Sequence, residues 1–219
     1  MRLVTANLFN RHVEAEALEQ FIEETKPDVM LVQELAPHAA AIVGDRLPHG
    51  LLDPRDDYEG RGIALARPGA VAPLMFANRS AWVATLEPAD WPALSRPLEV
   101  VCMHLVSPID PPPWRSVRMR SQQLDGLRDH IAASPDAPRV VAGDMNATPV
   151  WPAYRRLRSM LTDGIAEAGV ARRTWGPFWW SPRLLRIDHV FVSGVRVVQS
   201  QVRTIRGSDH SAVVVDLAV

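Results

Sequence analysis

Arg2-Leu3-Val4-Thr5-Ala6-Asn7 and, further on, Val29-Met30-Leu31-Val32-Gln33-Glu34 carry the reading of the fold. Both are short aliphatic runs of the strand type, and each ends on polar side chains. Between them, residues 13–25 set Val13, Ala17, Leu18, Phe21 and Ile22 at helical spacing and stop before Lys26-Pro27. Strand, helix, strand is a βαβ unit whose two strands can pair in parallel. Asn7 and Glu34 would then share the C-terminal strand edge, where α/β sheets commonly gather ligand sites.

Outward from that unit, strand signals recur at 62–66, 81–86, 98–105, 139–143, 187–192, 196–204 and 212–218. A helical pattern over 115–133 puts Val117, Leu124, Leu127 and Ile131 on one face, and a shorter one covers 151–159. The later strands follow one another with little helix, which predicts antiparallel meanders in a mixed sheet and an α/β class. No short internal repeat is present. Residues 88–97 and 107–113, with Pro108, Pro111, Pro112 and Pro113, read as loops within one domain spanning 1–219.

The chain has 219 residues, 47% of them hydrophobic, enough for a substantial core. Its one cysteine, Cys102, excludes an intrachain disulfide and reads as a small buried hydrophobe, so a reducing, cytoplasmic setting is expected. No signal-peptide pattern and no apolar run of membrane-spanning length is seen, which predicts no integral membrane segment. Nothing in the composition calls for an obligate oligomer, so a monomer is expected. The net charge of −1 hides an asymmetry: residues 1–110 hold 9 basic and 16 acidic side chains, residues 111–219 hold 15 and 9. A basic half suits a polyanion such as nucleic acid, although an arginine-rich composition with a single lysine accounts for it equally simply.

Two further stretches put an acid beside His or Asn at a strand end: Gly143-Asp144-Met145-Asn146 after Val140-Val141-Ala142, and Gly207-Ser208-Asp209-His210 before Val213-Val214-Val215. An acid next to a neutral polar group can hold a hard cation and position a water together. Each has a plain structural alternative. Asn7 could cap the helix that starts near residue 12, Glu34 could be a surface acid, Gly143-Asp144 and Asp209-His210 could be ordinary turns, and His104 could be a buried histidine bonded to backbone. His12, His38, His49 and His130 read as surface residues, and His189 as structural, on the strand face opposite Asp188.

Taken in order, Thr5-Ala6-Asn7, Val32-Gln33-Glu34, Met103-His104, Gly143-Asp144-Met145-Asn146, Ile187-Asp188-His189 and Ser208-Asp209-His210 resemble the endonuclease/exonuclease/phosphatase superfamily, deoxyribonuclease I-like in fold. Met103-His104 with Ser107-Pro108 and Arg120-Ser121-Gln122-Gln123 is most similar to its compact bacterial members of unassigned substrate. The resemblance implies a four-layer α/β/β/α sandwich of two packed mixed β-sheets flanked by helices. It implies a Mg²⁺-dependent phosphodiesterase (Mn²⁺ as the alternative), with Glu34, Asp209 and Asn7 at the metal. His210 becomes the general base, oriented by Asp188. Asp144 and Asn146 hold the attacking water, and His104 binds a phosphate oxygen or protonates the leaving group. Arg120 and Trp175 are expected at the substrate, Arg120 with a solvated helical arginine as its alternative. Nucleic acid is the first substrate expectation. A phosphorylated lipid, sugar or nucleotide is the second, and an inactive binding module the most remote. No tyrosine lies between His104 and Asp144, a departure from the abasic-site endonucleases that demotes a repair role. The stretch Arg172–Trp180 could stack bases, enter a lipid interface or simply pack over the sheet edge.

Overall fold

The computed structural model describes residues 1–76, 80–109, 112–169 and 172–219. Pro111 of the expected 107–113 loop lies outside the described residues. The first half runs β1 (Arg2–Asn7), α1 (Ala15–Thr25), β2 (Val29–Gln33), α2 (Pro37–Arg46), β3 (His49–Asp53), β4 (Arg61–Leu65), β5 (Ala70–Met75) and β6 (Ser80–Leu86). The second runs β7 (Leu98–His104), α3 (Pro113–Ala133), β8 (Arg139–Asp144), α4 (Pro152–Arg158), β9 (Thr162–Asp163), α5 (Gly164–Glu167), β10 (Asp188–Ser193), β11 (Arg196–Thr204) and β12 (Ser211–Ala218). They form two six-stranded sheets, ordered β11-β12-β1-β2-β4-β3 and β5-β6-β7-β8-β10-β9.

Strand alternation builds the layers. In β1, Leu3 faces the other sheet while Val4 and Ala6 face the helices; in β2, Val29 and Leu31 alternate with Met30 and Val32 in the same way. Val100, Cys102, Val140 and Ala142 answer from the second sheet, so the central cluster is a sheet-on-sheet interface. Val4, Met30 and Val214 bury the apolar sides of α1 and α2 through Leu18, Phe21, Ala39 and Val43. Val101, Val141 and Phe191 do the same for α3 and α4 through Leu124, Leu127, Tyr154 and Leu157. The four-layer α/β/β/α architecture follows. Cys102 is buried, and burial pushes its thiol up to about 11, away from reactivity.

Each sheet has one parallel pair. β1 pairs with β2 as the sequence suggested, and β7 pairs with β8 across α3, a second βαβ unit that the sequence reading left unnamed. Gly143 makes that second pairing possible. It sits at φ +144°, and a Cβ there would stand 1.8 Å from the Met103 carbonyl oxygen. One expectation fails on α3: Val117 is 64% exposed, whereas Leu124 and Leu127 are buried. The side chains that the first turns bury are polar ones, Ser116 and Arg120, bonded to the Pro108 and Val106 carbonyls.

Candidate active site

Register alone assembles most of the site. In the second sheet His104 is the neighbour of Asp144, and Asp144 lies opposite Asp188. Three chemistry-bearing side chains therefore stand on adjacent strands, roughly 5 Å apart across the sheet. In the first sheet Asn7 pairs with Gln33, one residue before Glu34, and His210 immediately precedes β12. The two polar edges face each other across the top of the sandwich.

Backbone strain helps to aim them. Glu34 and Asn146 hold left-handed conformations, φ 52° and 46°, which residues with a Cβ adopt only where their surroundings enforce it. Asn7 bridges the sheets: its Nδ2 donates to Glu34 Oε1 at 2.9 Å and to Asp144 Oδ2 at 3.2 Å. It caps no helix, since α1 begins at Ala15 with Glu14 before it. The backbone N–H of Asn146 donates to Asp144 Oδ1 at 2.7 Å, and its side-chain amide donates to the Leu105 carbonyl and to Asp144 Oδ2. His104 Nε2 lies 3.6 Å from Asp144 and 3.9 Å from Glu34.

The buried pair at the centre is His210 and Asp188, with 2.9 Å between Nδ1 and Oδ2. The other ring nitrogen, Nε2, is 3.7 Å from Asp144 Oδ2 and 4.0 Å from Asp209 Oδ1. Burial by itself lowers the affinity of His210 for a proton. Asp188 and Asp144 outweigh it and push the imidazole up to about 10, well above the ordinary value read from the sequence. Burial pushes Glu34 up to about 7 and Asp144 up to about 7, and it raises Asp209 as well. Burial thus favours the neutral carboxyl forms, while the neighbouring acids favour the charged imidazole. Glu34, His104 and Asp144 form one compact group of potential ligands, and Asp144, Asp188 and His210 another. Asp144 belongs to both groups.

Several residues around the site have roles that the sequence did not assign. Thr174 Oγ1 accepts the backbone N–H groups of Ile187 and Asp188 and so fixes the start of β10. Arg183 donates to the carbonyls of Ser208 and His210 and to Ser211 Oγ. Ser208 Oγ donates to the Asn7 carbonyl and accepts from the His210 backbone N–H, tying the last loop to the first strand. Apart from the Ser208–His210 bond, these are long-range contacts with no local signature. Trp175 borders the site, its indole N–H donating to Asp209 Oδ2 at 3.0 Å. Arg120 is buried rather than solvated: its guanidinium donates to the carbonyls of Val106 and Met145, bracing the loops after β7 and β8. Gln33 is buried against Thr5 and Cys102. His189 is buried, with Nε2 on the Ala147 carbonyl at 2.8 Å. Of the four histidines read as surface groups, His130 departs, half-buried with Nε2 2.9 Å from a Glu99 carboxylate oxygen.

These side chains line a cavity of about 370 Å³. Its floor carries Glu34, His104, Asp144, Asn146, Asp209 and His210; its walls are Phe9, Tyr58, Trp151, Trp175, Leu185 and Ile187. A larger depression of about 500 Å³ lies between α1 and β11, but its charged residues pair with one another, as in Arg203–Glu24 and Arg206–Glu14.

Residues 4–210 match the model of the Endonuclease/Exonuclease/phosphatase family. No curated protein matches the chain by sequence. Among solved structures, the fold is shared with a humanized TDP2 from D. rerio at TM-score 0.76 and 18% identity, covering 100% of this chain and 99% of that one. A functionally unknown conserved protein from Enterococcus faecalis gives TM-score 0.75 at 16% identity, with 100% and 99% covered. The 3′ phosphatase NExo from Neisseria, bound to a product DNA hairpin, gives 0.75 at 16% identity, with 99% and 98% covered.

Proposed function

The chain belongs to the endonuclease/exonuclease/phosphatase family, a family of phosphoester hydrolases, and on that premise we propose that residues 1–219 form one catalytic domain that cleaves phosphodiesters by in-line attack of water. The observation that carries the reading is the buried Asp188–His210 pair, whose Nε2 faces a floor of three carboxylates. Phosphodiester hydrolysis needs a base for water and positive charge for the anion, and that floor suits both.

The residues fit a hard divalent cation. Glu34 Oε2 and Asp209 Oδ1 are buried with no hydrogen-bond donor, and carboxylate oxygens are the preferred ligands of Mg²⁺ and Mn²⁺. Glu34 and Asp209 would hold the ion, with Asn7 supporting the shell through its bonds to Glu34 and Asp144. When bound, Mg²⁺ offsets the charge of the carboxylates and the phosphate, lowers the proton affinity of His210 and stabilises the departing oxygen.

The protein's own part is proton handling and orientation. His210 Nε2 takes a proton from water as the water oxygen bonds to phosphorus. Asp188, at Nδ1, fixes the tautomer and stabilises the imidazolium. Asp144 and Asn146 orient the water and a non-bridging oxygen. His104 binds a phosphate oxygen or delivers a proton to the leaving oxygen as its bond to phosphorus breaks. Arg120 serves substrate indirectly, through the two loops that it braces.

Nucleic acid is the substrate class supported by the basic second half of the chain. The cavity walls favour a second class, a phosphodiester carrying an apolar group, because Phe9, Trp151, Leu185 and Ile187 offer hydrocarbon where a nucleic-acid backbone would need cations. Hydrolysis of single- and double-stranded DNA, RNA and a phospholipid in ¹⁸O-water tests both points. The reading expects one polymer or lipid diester to be cut with ¹⁸O in the phosphoryl product. Label in the alcohol would refute attack at phosphorus.

A further inference from the structure

Fourteen large apolar side chains stand exposed among the described residues, and nine of them lie on or beside the segments that line the cavity. Tyr58 and Ile109 line it, with Trp114 and Val117 soon after Ile109 in the chain and Val150 next to the lining Trp151, and these make one lip; Phe178, Trp180 and Leu184, between the lining residues Trp175 and Leu185, make the other with Leu185. Trp179 turns instead to Arg206 and the depression beside α1, and the remaining four sit on strands or at the C-terminus. Scattered single apolar residues are normal on any surface, but this clustering around one opening is not. In the Arg172–Trp180 stretch Thr174, Trp175 and Gly176 are buried or half-buried at the sheet edge, and beyond them Phe178 and Trp180 stack on each other at 5.1 Å while facing solvent.

Resting on the phosphodiesterase reading, we propose that this rim is a membrane-docking surface that seats the cavity on a bilayer with anionic headgroups and admits a phospholipid diester. Tryptophan and tyrosine favour the interfacial region, where an apolar body meets a polar tip. Charge points to the same partner. Arg115 and Arg118 flank Trp114 and Val117, while Arg172 and Arg173 precede the second lip; all four are exposed and make no ion pair among the described residues. Of the acids beside Tyr58, Asp56 pairs with Arg11 and Glu59 with Arg61, while Asp57 accepts the Glu59 backbone N–H and no cation among the described residues. Apolar anchors ringed by free arginines match an acyl boundary beneath anionic headgroups.

The surface is continuous with the chemistry, since Tyr58, Ile109 and Leu185 belong to both rim and cavity. A nucleic-acid track would instead place cations along the cleft. The buried arginines near the site are turned away from it: Arg120 bonds carbonyls and Arg186 bonds Asp163.

The test is co-sedimentation of the full chain, in chelator, with phosphatidylcholine vesicles lacking or containing phosphatidylglycerol. The comparison protein carries Trp114→Ala, Phe178→Ala and Trp180→Ala together. Wild type should bind, more strongly with phosphatidylglycerol, and the triple variant should lose about tenfold or more in partitioning at an unchanged melting temperature. Quenching of wild-type tryptophan fluorescence by brominated lipid gives the same answer without any variant. Absence of binding and quenching overturns the proposal. So does binding unaffected by the three changes, or a rim that the same variant shows to serve single-stranded DNA or self-association instead. Turnover of soluble bis(p-nitrophenyl) phosphate with metal is read separately on wild type. Turnover without sedimentation sinks the docking surface alone, and sedimentation without turnover sinks the chemistry alone.

Discussion

The floor of the cleft and its rim are built on opposite principles. The floor is polar, buried and on strand ends, and register and hydrogen bonds hold its side chains: Asp188 beside Asp144, Asn7 between Glu34 and Asp144. The rim is apolar, exposed and on loops, with the Phe178–Trp180 stack bonded to nothing but itself and its own turn. Rigid strand ends suit chemistry that needs groups held in place, whereas adaptable loops suit a surface that only has to choose what approaches. On the proposed function, the reaction belongs to one region and substrate choice to the other, so changes in the two should separate cleanly.

The sharpest break is at the floor. His210→Ala removes the proposed base and should lower kcat for a diester by roughly 10²–10⁴-fold with little change in melting temperature. A loss under tenfold would move the base elsewhere. Next comes the scaffold beneath. Gly143→Ala forces a Cβ to within 1.8 Å of the Met103 oxygen and should cost about 2–4 kcal/mol in a urea melt. A near-neutral result would mean that the β7–β8 pairing is slack.

Under the floor, acid should loosen what the rim never feels. Burial, with Arg186 adding to it, pushes His189 down to about 4. The unfolded chain then binds a proton near pH 6.5 that the folded chain refuses. Stability from this group is complete above that pH and is lost as pH falls toward 4, by on the order of 3 kcal/mol in all. Asp163, held low against its own burial by Arg186 and Tyr154, adds loss of the same sign at still lower pH. Urea melts from pH 7.5 to 4.5 should show the decline, and His189→Gln should flatten it.

Glu34→Gln sharpens the comparison within the floor. The metal concentration for half-maximal rate should rise roughly 10–100-fold, more than any change in KM. Smallest of all is the rim: Tyr58→Ala should leave stability within about 0.5 kcal/mol and raise KM for an amphiphilic diester several-fold, with kcat unmoved. A fall in kcat there would blur the boundary between the two regions.

What could be read from the chain alone follows the same line. Strands buried on both faces, such as Val29–Gln33 and Arg139–Asp144, announce themselves as unbroken aliphatic runs. Edge strands did not: β3 contains Gly50 at φ +105° and β5 contains Pro73, residues that usually argue against a strand and are tolerated where only one neighbour pairs. α2 was missed because its alanine-rich stretch lacks a polar cap and a clear apolar stripe. Val117 was misjudged because the first turns of α3 bury the polar Ser116 and Arg120, which apolar spacing does not reveal. At the site, motif-bearing residues were visible because they sit in short strand-end signatures. Ser208 lies in one of those signatures, yet its role and those of Thr174 and Arg183 were not visible, since they consist mainly of bonds to distant backbone. Arg120 could be named, but its turn toward the Val106 carbonyl is a tertiary fact.

The most direct test of the central claim is turnover of bis(p-nitrophenyl) phosphate by chelator-stripped protein, before and after stepwise addition of Mg²⁺ or Mn²⁺. The floor described here predicts no turnover in chelator and a saturable rise with either metal. Equal turnover in chelator, or none of any phosphodiester at saturating metal, would contradict it.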